Sequence, residues 1–165
     1  MESLLQGKRA AIMKRGLAIL TLCCAAAGFP LRAAQSQSAV PSVDAPPLTE
    51  EAARALKNPI ANTSKSIGRG KLLYGALGCA NCHGSDGKAL VEVVANATDL
   101  TEPKYWKNGV DEGLIFRSIR DGAGLSMPPF KHEVTAQEDL WHLVNFVRSL
   151  WPAAQRPPVS PDKGP

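Results

Sequence analysis

The sequence predicts an all-α fold of short helices, and three observations support this class. Apolar residues recur at helical spacing in residues 64–77 and 135–151. Glycines and prolines divide the chain between these stretches into lengths that suit short helices and loops. The alternation of apolar and polar residues that marks a half-buried β-strand does not occur in the sequence, nor does an internal repeat or a phosphate-binding loop.

Residues 1–34 have the layout of a secretory signal peptide. Four basic residues precede the apolar run 16–27, and small residues suited to cleavage follow it, after Ala27 or near Ala33. The run is short for a membrane span, although an uncleaved N-terminal anchor is the alternative. Cleavage would remove two of the four cysteines, and the chain would act in the periplasm.

The basic character of the chain resides in this N-terminal region. The net charge is +4, but five of the 19 basic residues and one of the 15 acidic residues lie in residues 1–34. Fourteen of each remain from Gln35 onward, so the exported part is near neutral. The composition therefore gives no argument for nucleic acid as a partner.

Residues 35–58 are predicted to be a Ser/Pro-rich linker. Residues 35–47 are rich in Ser, Pro, Ala and Val without periodicity. Residues 49–57 form a short, solvated helix that Asn58-Pro59 ends. The folded domain is then expected to span residues 59–152.

The first helix of this domain is predicted to begin at an N-cap, Ser64 or Ser66, and to run to about Leu77. Gly70 inside it costs about 1 kcal/mol relative to alanine. That cost is understandable if another helix crosses close to the backbone at this point. Gly78 is expected to end the helix.

The pentapeptide Cys79-Ala80-Asn81-Cys82-His83 follows at once, and it is the motif of covalent c-type haem attachment. Each thiol adds across one haem vinyl group to form a thioether, and two intervening residues let both sulfurs reach from one turn of backbone. The histidine is then placed to become the proximal iron ligand. We therefore predict one covalent haem c held by Cys79, Cys82 and His83.

Three other interpretations of the two cysteines are weighed against haem. A redox dithiol normally sits at a strand–helix junction of an alternating α/β pattern, which this chain lacks. Half of a zinc site would need a second cysteine pair, and His132 and His142 have the wrong spacing for a finger. A plain disulfide is the third interpretation.

Short elements are predicted between the motif and the last helix. Residues 88–98 lack periodicity and are expected to form a loop over one haem edge. Thr101 is a candidate N-cap for a short helix with Pro103 in its first turn. A further helix begins at Asp111-Glu112 and ends at Gly122, with its apolar side chains facing inward.

Met127 is the predicted second iron ligand. It is the one methionine of the sequence outside the signal region, and Pro128-Pro129 hold its loop extended. A thioether ligand favours reduced iron and raises the potential. The alternatives are that Met127 only packs, or that His132 of the same loop replaces it, although that histidine is expected to be solvated. His142 is expected to be a partly exposed residue of the last helix.

The last helix is predicted to begin at a capping box, Thr135 to Glu138, and to end at Pro152. Residues 153–165 are Pro-rich and are expected to be disordered. Phe146 lies at the edge of the helix's apolar stripe. The stripe consists of Leu140, Leu143, Val144, Val147, Leu150 and Trp151.

Together these features resemble the monohaem class I c-type cytochromes, over roughly residues 59–151. The resemblance implies the cytochrome c fold, in which a glycine of the first helix, here Gly70, meets an aromatic residue of the last helix, here Phe146. It also implies His83 and Met127 as axial ligands. The residues that carry it are Gly70, Tyr74, Cys79-Ala80-Asn81-Cys82-His83-Gly84, Asp99-Leu100-Thr101, Met127-Pro128-Pro129-Phe130, Leu140-Trp141, Leu143-Val144 and Phe146-Val147.

The sequence departs from the family at one point. Many members carry a proline after the motif whose carbonyl accepts the other N–H of the ligating histidine, but no proline occurs between His83 and Pro103. What orients His83 is therefore open. Trp106 stands where such cytochromes often direct an indole N–H toward a haem propionate, and simple packing is the alternative.

The function that the resemblance implies is periplasmic electron transfer by a haem that cycles between Fe(III) and Fe(II). The protein would not itself be an enzyme, and its partners would be redox proteins that donate and accept electrons. Membrane contact would arise only through an uncleaved N-terminal anchor. The alternatives are a dedicated cytochrome subunit of a periplasmic dehydrogenase or oxidase, and a haem with an open iron site that binds gas or peroxide.

Overall fold

The computed structural model describes residues 40–89 and 97–162. Within these residues the chain forms five α-helices and two single 3-10 turns, and β-pairing is limited to isolated bridges, which confirms the predicted all-α class. The predicted signal peptide and the middle of the loop 88–98 lie outside the described residues. The helices are α1 (Glu50–Ala55), α2 (Ser64–Ala76), α3 (Ala80–His83), α4 (Glu112–Asp121) and α5 (Glu138–Ser149), and the 3-10 turns are Pro103–Tyr105 and Ala153–Gln155.

The core is formed where α2, α4 and α5 pack together, and the apolar residues predicted on α4 and α5 are buried. On α4, Phe116 stacks on Trp141 of α5 with ring centroids 4.1 Å apart. Leu150 is only partly buried, because α5 ends at Ser149. No helix in the described part of the chain is long and apolar enough to cross a bilayer.

The first and last helices of the domain approach most closely at Gly70. A Cβ on Gly70 would lie 2.1 Å from the carbonyl oxygen of His142 and 2.7 Å from the Cβ of Phe146. The ring of Tyr74, one turn later, lies 5.1 Å from the Phe146 ring. The close approach predicted at Gly70 is therefore confirmed, and any side chain there would push α5 away.

A polar network crosses this interface beside Gly70. The hydroxyl of Ser66 lies 2.8 Å from Nδ1 of His142 and accepts a hydrogen bond from the Asn145 side chain. Asn145 in turn accepts from the amide of Asn58. His142 is partly exposed, as predicted, and burial lowers the pKa of its imidazole, which favours the neutral ring that can accept from Ser66.

The N-cap of α2 is Thr63, and not Ser64 or Ser66 as predicted. The Thr63 hydroxyl accepts from the backbone N–H of Ser66 at 3.2 Å. Ser66 cannot serve as the cap because it lies inside the helix, where its hydroxyl belongs to the network with α5.

The predicted capping box of α5 is also wrong. The helix begins at Glu138, so Thr135 lies before the N-cap, Gln137, which makes no side-chain capping bond. A backbone hydrogen bond from the N–H of Asp139 to the carbonyl of Ala136 tightens the chain here instead. The entry to α5 therefore relies on backbone bonds of 3-10 type.

Helix α1 packs into the core, contrary to the prediction of a solvated helix. Ala53 has no exposed surface. A Cβ on Gly113 of α4 would lie 1.8 Å from the Ala53 carbonyl oxygen, so the two helices touch through backbone. The domain consequently begins before Pro59.

Residues 42–48, predicted as flexible linker, form an N-terminal strap fixed to the end of α4. The guanidinium of Arg120 is completely buried and pairs with the carboxylate of Asp121, which also accepts the backbone N–H of Leu48 at 2.9 Å. Composition indicated a linker because the partners of Arg120 are backbone atoms. They are the carbonyl oxygens of Ser42 (2.7 Å), Ala45 (2.9 Å) and Pro46 (3.3 Å).

The predicted disorder of the C-terminal tail is wrong for residues 153–162. The backbone N–H of Ser160 donates to the carbonyl of Asn62, and the Asn62 amide donates to the carbonyls of Pro157 and Pro158. Proline carbonyls remain free to accept because proline has no N–H of its own to satisfy. The tail therefore lies along the start of α2.

Candidate functional site

The cysteine motif occupies one helical turn between two glycines. Gly78 and Gly84 both have φ of 74°, a conformation that L side chains rarely adopt. A Cβ on Gly84 would lie 2.4 Å from the carbonyl oxygen of Lys88. The predicted end of α2 at Gly78 is confirmed, and the tight turn brings both thiols and the histidine to one surface.

Tyr74 fastens α2 to this turn. Its hydroxyl donates to the carbonyl of Gly84 at 2.7 Å, and its own carbonyl accepts the N–H of Cys79 at 3.1 Å. Burial raises the pKa of Tyr74, so the hydroxyl stays protonated and remains a donor. The motif is therefore held from both sides by one residue of the first helix.

A cavity of about 620 Å³ opens beside the turn. Cys79, Cys82, His83 and Met127 all line it, so the four predicted site residues are brought together. Its volume lies within the range of roughly 300–1,000 Å³ typical of ligand and cofactor sites. Most of the remaining wall is apolar, including Leu77, Ile115, Ile119, Phe130, Leu143 and Val147.

Met127 is held by its backbone. Its N–H and carbonyl bond reciprocally with Ala123, at 3.4 and 3.0 Å. The turn between them starts at Gly122, where a Cβ would lie 2.7 Å from the Met127 carbonyl oxygen. After the two prolines, the N–H of Phe130 donates to the carbonyl of Ile119. The loop is thus fastened to α4 on both sides of Met127.

His83 is oriented by a backbone carbonyl. Its Nδ1 lies 2.9 Å from the carbonyl oxygen of Thr98. A carbonyl can only accept, so Nδ1 carries the proton and Nε2 keeps the free lone pair that a metal ligand needs. The question left by the missing proline is answered, because Thr98 supplies the acceptor. Sequence reasoning missed Thr98 since every residue carries a carbonyl and no side chain marks this role.

The indole of Trp106 serves a different partner from the predicted one. Its Nε1–H donates to the carbonyl of Asp99 at 3.0 Å rather than standing free for a propionate. Its ring meets Trp151 edge-on, with centroids 5.6 Å apart. Thr101 caps no helix, because its N–H and hydroxyl both donate to the Asp99 carboxylate and the 3-10 turn has Glu102 as its N-cap.

The geometry disfavours the other interpretations of the cysteines. Both thiols are free rather than joined in a disulfide. Burial raises the pKa of Cys79 to about 11, whereas a redox dithiol depends on a lowered pKa. The described residues contain no cluster of three or more His, Cys, Asp or Glu that could hold a metal ion, as a zinc site would require. His132 is exposed and does not line the cavity.

Short helices, one attachment turn and an apolar cavity between a histidine and a methionine define the class of c-type cytochromes. A family model described as cytochrome c oxidase, cbb3-type, subunit III matches residues 65–147, which run from the first turn of α2 to the last turn of α5. The chain belongs to this family, and its fold is the cytochrome c fold.

Curated relatives name one oxidase subunit. The cbb3-type cytochrome c oxidase subunit CcoP of Helicobacter pylori strain 52 is 34% identical over 86 residues, which cover 52% of this chain and 28% of the relative. That of strain ATCC 700392 / 26695 is 33% identical over 80 residues, 48% of this chain and 27% of the relative. The chain thus spans less than a third of the length of these proteins.

Two solved structures are similar. A reducing HAO-like protein complex of Kuenenia stuttgartiensis matches with a TM-score of 0.52 and 26% identity, covering 60% of this chain and 49% of that one. Cytochrome cL of Methylophaga aminisulfidivorans matches with a TM-score of 0.47 and 24% identity, covering 55% and 57%.

The cofactor of this family is covalently bound haem c, and the residues present fit it. The two free thiols lie three positions apart on one turn and line an apolar cavity of suitable volume. The neighbouring histidine has its Nδ1 engaged by a carbonyl, the arrangement that leaves Nε2 available for iron.

Proposed function

We propose that this chain is a one-electron transfer domain in which His83 and Met127 are the two axial ligands of a single haem c. The observation that carries the proposal is that both residues line one apolar cavity with Cys79 and Cys82. Each ligand stands on a part of the chain that backbone hydrogen bonds fix. With both positions filled, no site remains for a substrate on the metal, so the domain is not itself an enzyme.

The side chains divide the work between them. Cys79 and Cys82 tether the cofactor, and His83 faces it with the Nε2 that its bond to Thr98 leaves free. The haem supplies an Fe(III)/Fe(II) couple when bound, and the thioether of Met127 favours the reduced state. The apolar walls exclude water, which limits the reorganisation that accompanies a change of charge.

We further propose that the partner is a terminal oxidase and that the chain acts as its cytochrome subunit on the periplasmic side. Membership of the cbb3-type subunit III family supports this, as does the similarity to the CcoP subunits. Export through residues 1–34, cleaved or retained as an anchor, would place the domain there. A free periplasmic carrier is the alternative that the partner experiment below must distinguish.

Replacing Met127 with alanine tests the ligand set. The wild-type holoprotein is expected to show the weak long-wavelength sulfur-to-iron band in its ferric form and to ignore CO when reduced. The variant should lose that band and bind CO, because a coordination position opens. Visible spectra of both oxidation states, with and without CO, provide the measurement.

The matched control is His132→Ala in the same loop, which removes an exposed side chain that does not line the cavity. It should leave both spectra unchanged. A wild-type protein that lacks the band and binds CO rapidly would contradict the proposal and favour a gas- or peroxide-binding haem.

Electron exchange with the partner is expected through the rim of the cavity at Leu125. This side chain is fully exposed and lies two residues before Met127 on the cavity rim. We expect Leu125→Asp to lower the rate of electron transfer to detergent-solubilised terminal oxidase from the source organism by about tenfold, since a carboxylate must be desolvated on docking. Stopped-flow spectroscopy at fixed ionic strength gives the rate.

Leu72→Asp is the matched control, because Leu72 is also largely exposed but does not line the cavity. It should leave the rate unchanged. Isolation of the full-length protein from native membranes then separates the alternatives. Co-purification with an oxidase supports a subunit, whereas recovery as a separate protein with the same Leu125 dependence supports a carrier. Equal rates for both variants would contradict this docking surface.

A further inference from the structure

A short segment behind His83 is fixed in an unusual way. The carbonyl of Thr98 accepts from His83, and the next peptide unit, between Asp99 and Leu100, is bonded at both of its polar atoms. Its carbonyl oxygen accepts the Trp106 indole N–H at 3.0 Å, and its N–H donates to the Gly87 carbonyl at 2.7 Å. The neighbour of the acceptor is therefore clamped from two sides.

This clamp determines where the acceptor points. Peptide units are planar, so only the two backbone dihedral angles of Asp99 separate the clamped unit from the Thr98 carbonyl. The Asp99 carboxylate restricts those angles, because it accepts both the N–H (2.8 Å) and the hydroxyl (2.6 Å) of Thr101. The direction of the Thr98 carbonyl thus depends on a chain of four hydrogen bonds.

Both arms of the clamp rest on the end of α5. Gly87, with φ of 83°, lies so close to this region that a Cβ would be 2.6 Å from the side chain of Leu150. Trp106 meets the buried ring of Trp151 edge-on, and the guanidinium of Arg148 lies 5.5 Å from the centroid of that ring. The acceptor for His83 is consequently positioned against the last helix and not by its own loop alone.

We propose that Trp106 is a positioning residue for His83, acting through the carbonyls of Asp99 and Thr98. The proposal rests on the proposed function, in which His83 ligates the iron. A well-aligned bond from Nδ1–H to Thr98 makes the imidazole a stronger electron donor and favours Fe(III). Loss of the indole N–H lets the Asp99 peptide rotate, weakens that bond and favours the reduced state.

The test uses the Trp106→Phe holoprotein, which loses the hydrogen bond but keeps an aromatic ring. We expect the equilibrium constant for reduction to rise by about tenfold, equivalent to 59 mV for one electron. Exchange of the His83 Nδ1 proton with solvent, followed by NMR of the diamagnetic ferrous protein, should accelerate by at least about tenfold. A role in packing alone would move neither quantity in this coupled way.

Trp151→Phe is the matched control, since the indole N–H of Trp151 is buried without a hydrogen-bond partner in the described part of the chain. It changes the same ring pair without removing a bond, so potential and exchange should stay close to wild type. Asp99→Ala gives the same test by releasing Thr101, and replaces Trp106→Phe if that variant does not fold. It should shift both quantities in the same direction.

The outcomes separate this inference from the proposed function. If the potential changes while the exchange of the His83 proton does not, Trp106 acts elsewhere and the inference is overturned. If neither changes in a protein that retains the sulfur-to-iron band, the inference fails and the proposed function stands. Absence of that band from the wild type overturns the proposed function itself.

Discussion

Replacing Arg120 with methionine is expected to lower the free energy of unfolding by about 3–5 kcal/mol. The change leaves the Asp121 carboxylate, whose side chain is 6% exposed, without its nearest cation, and Lys131 at 4.0 Å is a distant substitute. It also deprives the strap carbonyls of their buried donor. Urea unfolding of the holoprotein, followed by far-UV circular dichroism, measures the loss.

Two further variants make this result specific. Arg117→Met on the same helix should change stability by no more than about 0.5 kcal/mol, because Arg117 forms no ion pair within the described residues. Adding Asp121→Asn to Arg120→Met should recover about 1 kcal/mol or more, since the uncompensated charge is removed. Equal losses for Arg117→Met and Arg120→Met would show that the strap contributes little.

Gly70→Ala is expected to lower the free energy of unfolding by about 2 kcal/mol. The added methyl group would lie 2.1 Å from the His142 carbonyl oxygen, and a helix backbone cannot yield as a flexible side chain can. Overpacking of this kind costs about 3 kcal/mol, while the better helix propensity of alanine returns about 1 kcal/mol. Thermal and urea unfolding of the holoprotein give the value.

Gly68→Ala on the same helix is the matched control. A Cβ there meets nothing within 4 Å, so only the propensity gain remains and stability should rise by up to about 1 kcal/mol. The two alanine variants of α2 should therefore differ by about 3 kcal/mol. A Gly70→Ala protein as stable as the Gly68→Ala protein would mean that α2 and α5 can separate at little cost.

The parts of the fold that the sequence predicted correctly are those written in side chains. Apolar spacing located α4 and α5, and the poor helix propensity of Gly70 pointed to the close approach that the structure contains. The spacing of the two cysteines and His83 identified the attachment turn, and the prolines after Met127 indicated a fixed loop. In each case the chemistry depends on residue type, so a sequence pattern can report it.

The parts that were missed depend on backbone atoms. The strap looked like a linker because Arg120 holds it by carbonyl oxygens, which any residue would offer. Helix α1 looked solvated because its contact with α4 consists of Ala53 against Gly113, two small residues with no distinctive pattern. The tail likewise docks through proline carbonyls on Asn62. Such contacts become visible only when the chain path is known.

The acceptor at Thr98 has a consequence for how this protein can evolve. Because the carbonyl and not the side chain meets His83, point mutations at position 98 leave the donor–acceptor pair intact. The redox potential is thereby buffered against drift at this site. Insertions or deletions between Gly84 and Thr98 displace the carbonyl itself. Selection for a different potential is therefore expected to act through the length of this loop, while the identity of residue 98 varies nearly neutrally.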